Sequence, residues 1–274
     1  MSTQIVMEQL HNTRDLGGMP AADARYIRSG RLIRSGHLYG ASEADQKRLA
    51  AQLELVIDLR SDQECTEKPD PQLAGVQYVQ LPIMDNLTTG ITREREADEH
   101  LIHSLAKDAQ RARQYMCDMY RSFVTDAHAC SQYTRFVELL LAERDRAVLW
   151  HCTAGKDRAG FASVIVQELL GVPKEEIRRD YLMTNVYQRE SVERLTELVS
   201  HSVRKEMGET VSAAQLEPMQ EALHYLFGAR EEYLDALYDE IRKCYGSFTD
   251  YAREALGVDA AVREQLQELY LLRS

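Results

Sequence analysis

The amino-acid sequence predicts an α/β fold that continues into an all-helical C-terminal part. Up to about residue 170, short β-type runs alternate with helical stretches and turn-rich segments, which is typical of an α/β domain. From residue 174 onward no β-rich run occurs, and the helical patterns are interrupted only near four glycines. No internal repeat or linker-like tract divides the 274 residues. We therefore expect a single domain, with a core over about 1–185 and a helical elaboration over about 186–274.

Four apolar segments are the strand candidates, and they occupy residues 32–33, 53–59, 76–83 and 147–152. The last is the clearest, because Ala147, Val148, Leu149 and Trp150 form a continuous apolar run between charged residues and a glycine-containing loop. This pattern predicts a buried central strand.

Helices are expected between the strands and after them. Apolar residues recur at helical spacing over residues 94–143. A further helix is predicted from the loop at Gly155 to about residue 170, where Gly171 and Pro173 provide a stop signal.

The overall charge excludes one class of function. A net charge of −11 argues against a nucleic-acid-binding protein, which would need a basic face. Any anionic substrate must then be held by a focused site. The longest apolar runs fall far short of the roughly 20 residues that span a bilayer. Residues 1–10 lack the basic start and apolar block of a signal peptide. We expect a cytoplasmic protein, while export by a signal-independent route stays open.

The cysteines do not predict a metal site. The five cysteines are widely separated and lack the Cys-x2-Cys or Cys/His spacing of zinc ligands. We expect reduced thiols, no metal and no cofactor. The oligomeric state is left open by the sequence.

The segment 151–160, HCTAGKDRAG, follows the clearest strand and precedes a helix. A loop that enters a helix N-terminus directs several backbone N–H groups at one point, where the helix dipole adds positive potential, and both suit a phosphate. The same field favours the thiolate of Cys152, which makes this cysteine the candidate nucleophile. The residues expected to bind the substrate phosphate are Thr153, Ala154, Gly155, Lys156, Asp157 and Arg158.

Three residues of the segment 151–160 have specific reasons for their positions. Arg158 should lie in the first helical turn and present its planar guanidinium to two phosphate oxygens in the ground state and the transition state. Gly155 permits the tight loop. His151 is expected to orient the loop through hydrogen bonds rather than to donate protons.

The pattern His-Cys-x5-Arg resembles the signature of the protein tyrosine phosphatase superfamily. Four further segments are similar to those of the bacterial tyrosine/serine phosphatase family: HNTRDLGG at 11–18, GRLIRSG at 30–36, VIDLRS at 56–61 and DYLMTN at 180–185. That family includes secreted mycobacterial and listerial phosphatases that act on phosphoproteins and phosphoinositides. The resemblance implies a mostly parallel sheet of four or five strands flanked by helices, a phosphocysteine intermediate and no metal.

One position departs from the superfamily pattern. A Ser or Thr usually follows the arginine and donates a hydrogen bond to the thiolate when it leaves the phosphoenzyme, whereas this chain has Ala159. Either hydrolysis of the intermediate is slow, or Thr153 supplies the hydroxyl.

Three aspartates compete for the role of general acid, which protonates the leaving oxygen. Asp85 follows a strand candidate in a segment that resembles the acid-bearing loop of dual-specificity phosphatases. Asp157 lies within the phosphate loop, and the family resemblance suggests it as the acid there. Asp58 ends another strand candidate and can approach the site from beneath.

Two basic residues have alternative interpretations. Lys156 either adds positive charge to the pocket, as in phosphatases of highly phosphorylated lipids or inositols, or is a solvated neighbour of Asp157. Arg14 belongs to the turn-rich segment 11–18, for which a structural role beneath the loop is favoured. Direct contact of Arg14 with the loop is the other possibility.

These observations favour a phosphomonoester hydrolase. Phosphotyrosine is the first expected substrate, followed by phosphoserine or phosphothreonine and phosphoinositides. The alternatives are a phosphate-binding module with little turnover and a rhodanese- or arsenate-reductase-like enzyme, which also uses a cysteine at an anion-binding loop.

Overall fold

The structure is a computed structural model that describes residues 2–84, 96–207 and 213–272. The strands are β1 (Thr3–Gln4), β2 (Arg14–Asp15), β3 (Leu32–Ser35), β4 (Leu53–Asp58), β5 (Gln77–Gln80) and β6 (Ala147–His151). The helices are α1 (Glu43–Gln52), α2 (Asp62–Glu67), α3 (Glu96–Leu105), α4 (Ala109–Thr125), α5 (Ala127–Leu140), α6 (Arg158–Leu169), α7 (Lys174–Leu182), α8 (Thr184–Tyr187), α9 (Arg189–Met207), α10 (Ala213–Phe227), α11 (Glu231–Tyr245), α12 (Phe248–Ala255) and α13 (Ala260–Tyr270).

The described strands form one sheet in the order β1-β2-β3-β6-β4-β5. The neighbours from β3 to β5 run parallel, whereas β1 and β2 add an antiparallel edge. The α/β class with a mostly parallel sheet is therefore confirmed. The sheet has six described strands rather than the expected four or five. Strands β1 and β2 could not be predicted, because each has only two residues and so short a strand leaves no alternating pattern in the sequence.

Strand β6 is the buried central strand that its apolar run predicts. All five of its residues are buried, and it pairs with β3 on one side and β4 on the other. In the register, Ser35 of β3 and Asp58 of β4 both lie opposite His151. The carboxyl ends of the three strands therefore meet at one edge of the sheet, and the segments that follow them come together there.

Helix α6, which follows β6, is buried on nearly every side, as expected for a helix without a polar face. Its predicted limits agree with the structure. The C-terminal part is helical throughout its described residues, apart from an isolated bridge between Ile27 and Leu271. Helices α10 and α11 pack on α4.

The division into core and elaboration stays a prediction. One cluster of buried apolar side chains includes Phe123 of α4, Phe161 of α6 and Leu237 of α11. This shared core supports a single folding unit, because the C-terminal helices bury their apolar faces against the α/β part. Among the described residues, no helix has the length and apolar character needed to cross a membrane.

Candidate active site

Cys152 lies directly after β6, at the edge where the carboxyl ends of β3, β6 and β4 meet. Only 2% of its surface is exposed. Residues 152–158 form the phosphate loop, which ends at Arg158, where α6 begins. The strand-loop-helix arrangement predicted from the sequence is thus present.

The carbonyl groups of the phosphate loop are held from outside. Thr153, Ala154 and Gly155 each use the carbonyl oxygen to accept hydrogen bonds from residues beyond the loop. The backbone amide of His37 donates to the Thr153 carbonyl at 3.1 Å. The Ala154 carbonyl accepts from Asn12 Nδ2 at 3.0 Å and from Gln188 Nε2. Arg34 Nη2 donates to the Gly155 carbonyl at 2.8 Å. Since a trans peptide points its N–H opposite to its C=O, the amides of the following residues face the other way. Such an array of amides suits a phosphate.

Gly155 is required by the close approach of the loop to β3. Its φ is +68°, in the left-handed region that favours glycine. A Cβ atom at this position would lie 2.4 Å from the carbonyl oxygen of Ser35. The sequence-based reason for this glycine is therefore supported by its surroundings.

A buried ionic network lies beneath the phosphate loop. Asp180 of α7 is fully buried and pairs with Arg14 Nε at 3.0 Å and Arg34 Nη1 at 2.9 Å. Burial alone would raise the pKa of Asp180, but the charges of the two arginines outweigh it and hold the pKa well below its ordinary value. Arg14 reaches the loop indirectly, since it donates to Asn12, which in turn binds Ala154. Direct contact with the loop is made by Arg34, which the sequence analysis did not single out.

The guanidinium of Arg158 is paired with Glu64 of α2. Arg158 Nη1 lies 2.5 Å from Glu64 Oε2, and Nη2 lies 2.8 Å from Oε1. Thr153 donates its hydroxyl to the same Oε1. The hydroxyl of Thr153 is therefore directed at Glu64, which does not favour the idea that it takes over the role of a hydroxyl at position 159.

Glu64 was missed by the sequence analysis, although a signal was present. Ser61 and Glu64 form a capping box, in which Ser61 Oγ accepts from the Glu64 amide and Glu64 Oε2 accepts from the Ser61 amide at 2.9 Å. The Ser-x-x-Glu spacing after β4 indicates a helix start at the carboxyl edge of the sheet. Burial alone would raise the pKa of Glu64, but Arg158 and the hydrogen bonds lower it to about 2.

His151 is fully buried in a cluster with three other ionisable groups. Its Nε2 lies 2.9 Å from Asp70 Oδ2 and 3.8 Å from Asp58 Oδ1, and Arg60 Nη2 contacts both aspartates at 2.9 and 2.7 Å. Burial opposes a charged imidazole, but the two aspartates outweigh it and raise the pKa of His151. The other ring nitrogen, Nδ1, lies 3.3 Å from the carbonyl oxygen of Cys152. The expected role of His151, to orient the loop through hydrogen bonds, stays a prediction.

The same cluster contains three residues that could hold a metal ion, since the ligand atoms of Asp58, Asp70 and His151 lie within 4.8 Å of one another. The guanidinium of Arg60, however, already donates to Asp58 and pairs with Asp70. The carboxylates thus have a cation within the protein, and the donor set does not favour a divalent metal.

The three aspartates that compete for the role of general acid differ in their positions and surroundings. Asp85 lies outside the described residues. Asp58 is held by Arg60 and His151, and although burial alone would raise its pKa, their charges keep the pKa far below its ordinary value. A carboxyl group that stays ionised is a poor proton donor. Asp157 is about a quarter exposed and lines the cavity beside the phosphate loop.

Lys156 is buried, with 2% of its surface exposed, rather than solvated. Its ammonium donates to the carbonyl oxygens of Leu226 at 2.8 Å and Gly228 at 3.2 Å, where α10 ends. It also lies 3.5 Å from Asp157 Oδ1. The side chain thus connects the phosphate loop to the C-terminal helices, a role that neither sequence-based alternative included.

A cavity of about 590 Å³ opens over the phosphate loop. Loop residues 153, 154, 156 and 157 line its floor, and apolar side chains from α4, α9 and α10 line one wall. These side chains are Met116, Met119, Val192, Leu195, Leu226 and Phe227. Polar residues, among them His11, His37, Lys68, Gln188 and Arg194, also line the cavity. The cavity therefore combines an anion-binding floor with an apolar wall that can contact an aromatic ring.

Comparisons with known proteins agree with this geometry. Residues 5–272 match a family model described as the tyrosine phosphatase family. The chain is 31% identical to a protein of Cupriavidus necator named as a tyrosine-protein phosphatase, over 97% of this chain and 88% of the relative. It is 30% identical to the triple specificity protein phosphatase PtpB of Mycobacterium tuberculosis, over 95% of this chain and 96% of the relative. A tyrosine-protein phosphatase of Nostoc commune is 28% identical over 80% of this chain and 73% of its own length.

Proposed function

The chain belongs to the tyrosine phosphatase family, and on this basis we propose that it hydrolyses phosphotyrosine with Cys152 as the nucleophile. The observation that carries the residue assignment is the phosphate loop itself. The carbonyl oxygens of residues 153–155 accept hydrogen bonds from residues outside the loop, so the amides that follow them face away from those donors. Glu64 holds the guanidinium of Arg158 next to the loop. These features support binding of a phosphate dianion directly in front of the Cys152 sulfur.

The proposed reaction has two steps. In the first, the Cys152 thiolate attacks phosphorus, the S–P bond forms, and the P–O bond to the tyrosine oxygen breaks with its electron pair on that oxygen. Arg158 and the loop amides stabilise the charge on the remaining phosphate oxygens. In the second step, water attacks phosphorus and gives a proton to the carboxylate that the general acid has become. The S–P bond breaks with its electron pair on sulfur, which restores the thiolate, and inorganic phosphate leaves.

We propose Asp157 as the general acid of the first step. Its carboxyl group lines the cavity at the end of the phosphate loop and is partly exposed there, which supports access to the leaving oxygen. The ionised environment of Asp58 speaks against that residue. Asp85 remains the competing prediction, and the experiment on Asp157 decides between them.

The substrate range is the finer part of the proposal. The apolar wall of the cavity favours an aryl phosphate, because the ring of phosphotyrosine can pack on Met119 and Phe227. The name of the mycobacterial relative, a triple specificity phosphatase, supports phosphoserine or phosphothreonine and phosphoinositides as further candidates. A phosphorylated protein or phosphoinositide is thus the proposed partner. We also propose a cytoplasmic location, which the free state of the five cysteines supports.

The test is a substrate panel of phosphotyrosine, phosphoserine and phosphothreonine peptides and phosphoinositides, assayed with wild type and Cys152→Ser. We expect the highest kcat/KM on phosphotyrosine peptides and no turnover of any substrate by Cys152→Ser. Tight phosphate binding without turnover by wild type would overturn the proposal in favour of a binding module. Asp157→Asn should lower kcat/KM on phosphotyrosine peptides about 100-fold or more, and an unchanged kcat/KM would return the role to Asp85.

A further inference from the structure

Tyr120 of α4 reaches Asp157 from inside the core. The tyrosine is fully buried, and its hydroxyl lies 2.8 Å from Asp157 Oδ1 and 2.6 Å from the hydroxyl of Tyr181 on α7. The rings of Phe123 and Tyr233 pack against the Tyr120 ring with centroids 5.5 and 5.3 Å away. The position of the hydroxyl is therefore fixed by packing and does not depend on the hydrogen bond to Asp157.

The direction of these hydrogen bonds follows from what each group can donate. Oδ1 of Asp157 accepts a hydrogen bond both in the carboxylate and in an acid that carries its proton on Oδ2, so Tyr120 donates its hydrogen to Oδ1. The oxygen of Tyr120 can then accept the hydrogen of Tyr181. Burial raises the pKa of both tyrosines well above the ordinary value, which keeps both hydroxyls protonated. The chain of donors thus runs from Tyr181 of α7 through Tyr120 to Asp157.

Other charged and titratable groups also face Asp157. Lys156 places its ammonium 3.5 Å from the same Oδ1 that Tyr120 contacts. In the described part of the chain, the other charged or titratable groups that affect this carboxyl are Arg158, Tyr133, Tyr181 and Tyr233. Both of the closest donors, Tyr120 and Lys156, are directed at Oδ1.

We infer that Tyr120, ordered by Tyr181, is a positioning residue that leaves Oδ2 of Asp157 as the oxygen from which the leaving group receives its proton. This inference rests on the proposed function. When the P–O bond breaks, its electron pair stays on the leaving oxygen, which takes the proton from Oδ2. Asp157 becomes a carboxylate, and the hydrogen bond from Tyr120 stabilises the new charge through Oδ1.

The experiment compares Tyr120→Phe with Tyr270→Phe on a series of aryl and alkyl phosphates. Tyr270 is a matched control, because it is also buried and donates its hydroxyl to a carbonyl, that of Leu140, at 2.7 Å. The series runs from p-nitrophenyl phosphate, whose leaving group needs little protonation, to phenyl and alkyl phosphates. The rate of the bond-breaking step is read from single-turnover kinetics on each substrate.

Tyr120→Phe should lower the single-turnover rate about tenfold on phenyl and alkyl phosphates and hardly at all on p-nitrophenyl phosphate. The basic limb of its pH profile should move to higher pH, because a carboxylate that has lost a donor ionises less readily. Tyr181→Phe should act in the same direction but more weakly, since Tyr120 can still donate. Tyr270→Phe should leave the dependence on the leaving group unchanged.

An equal loss on every substrate, or no loss at all, would overturn the inference, because a purely structural role of Tyr120 cannot distinguish leaving groups. Failure of the proposed function has a different outcome. If wild type hydrolyses none of the phosphates, the phosphatase proposal fails. If wild type is active and Asp157→Asn shows no dependence on the leaving group, the assignment of Asp157 fails. If the inference holds, Tyr120 acts only through Asp157. The double variant Tyr120→Phe with Asp157→Asn should therefore be no slower than Asp157→Asn alone.

Discussion

Glu64 and Arg158 form a buried two-point ion pair at 2.5 and 2.8 Å, although 94 positions separate them in the chain. The pair joins the first turn of α2, which follows β4, to the first turn of α6, which follows β6, at the carboxyl edge of the sheet. The carboxylate fixes the plane of the guanidinium before any substrate binds. Binding therefore does not need to order a flexible arginine side chain, whose rotamer entropy is among the largest of all residues.

Loss of the Glu64 charge should therefore impair catalysis. We expect Glu64→Gln to lower kcat/KM on phosphotyrosine peptides about 10- to 100-fold, because Arg158 is no longer held in one orientation. Glu67→Gln is the control, since Glu67 lies on the same helix but is exposed. Steady-state kinetics and a thermal unfolding curve of both variants check the prediction. A loss of stability with unchanged kcat/KM would mean that the pair supports only the fold.

The pH dependence of stability should carry the signature of the same pair. The pKa of Glu64, lowered from 4.5 to about 2 by Arg158 against the effect of burial, lies below its value in the unfolded chain. The ionised carboxylate thus stabilises the folded protein above about pH 4.5, and this contribution is lost as the pH falls toward about 2. The difference in unfolding free energy between wild type and Glu64→Gln should shrink over that range. Urea titrations at stepped pH measure it, and a constant difference would contradict the assignment.

Ala159 provides a test of the second chemical step. Its side chain is fully buried in the first turn of α6, and the hydroxyl of Thr153 is directed at Glu64. We expect Ala159→Ser to accelerate hydrolysis of the phosphocysteine about tenfold by adding a donor for the departing thiolate. With p-nitrophenyl phosphate, the burst of product should fall and kcat should rise. Ala162→Ser, another buried alanine on this helix, is the control, and identical kinetics for wild type and Ala159→Ser would refute the idea.

Lys156→Met should loosen the connection between the phosphate loop and α10. The substitution removes the donor to Leu226 and Gly228 while it keeps most of the side-chain volume. Amide hydrogens of residues 223–229 should exchange faster with solvent, and kcat/KM should fall about tenfold. Lys174→Met is the control, because Lys174 is exposed and stacks over Tyr238. Unchanged exchange in 223–229 would show that Lys156 does not hold this segment.

Local patterns predicted the part of the site that is local in sequence. The apolar run of β6 and the loop after it suffice to locate Cys152, Gly155 and Arg158, because a strand, a tight loop and a helix start are encoded within about a dozen residues. The network below the loop was not predictable in this way. Asp180 meets Arg34 across 146 positions, and nothing in either segment indicates the partner.

The same limit applies to the residues around Asp157. Tyr120 lies on an amphipathic helix, where a tyrosine at a core-facing position usually indicates packing alone. Its hydroxyl contact with Asp157 depends on how α4 is placed against α6 and α7, which only the three-dimensional structure reveals. For Lys156, the sequence indicated only a positive charge near the phosphate site. In the structure its ammonium is buried against the end of α10 and donates to two carbonyl oxygens there.

The contact of Lys156 with the end of α10 limits how far this protein can be reduced in size. A shortened version that stopped after α9 would keep every residue from His151 to Arg158, yet its buried ammonium would lose the acceptors on Leu226 and Gly228. Without α10 and α11 the ammonium would be open to water, and the two hydrogen bonds that hold the Lys156 side chain, and with it the phosphate loop, would be absent. A smaller scaffold that contains the His-Cys-x5-Arg loop with this lysine would therefore need two other hydrogen-bond acceptors for its ammonium.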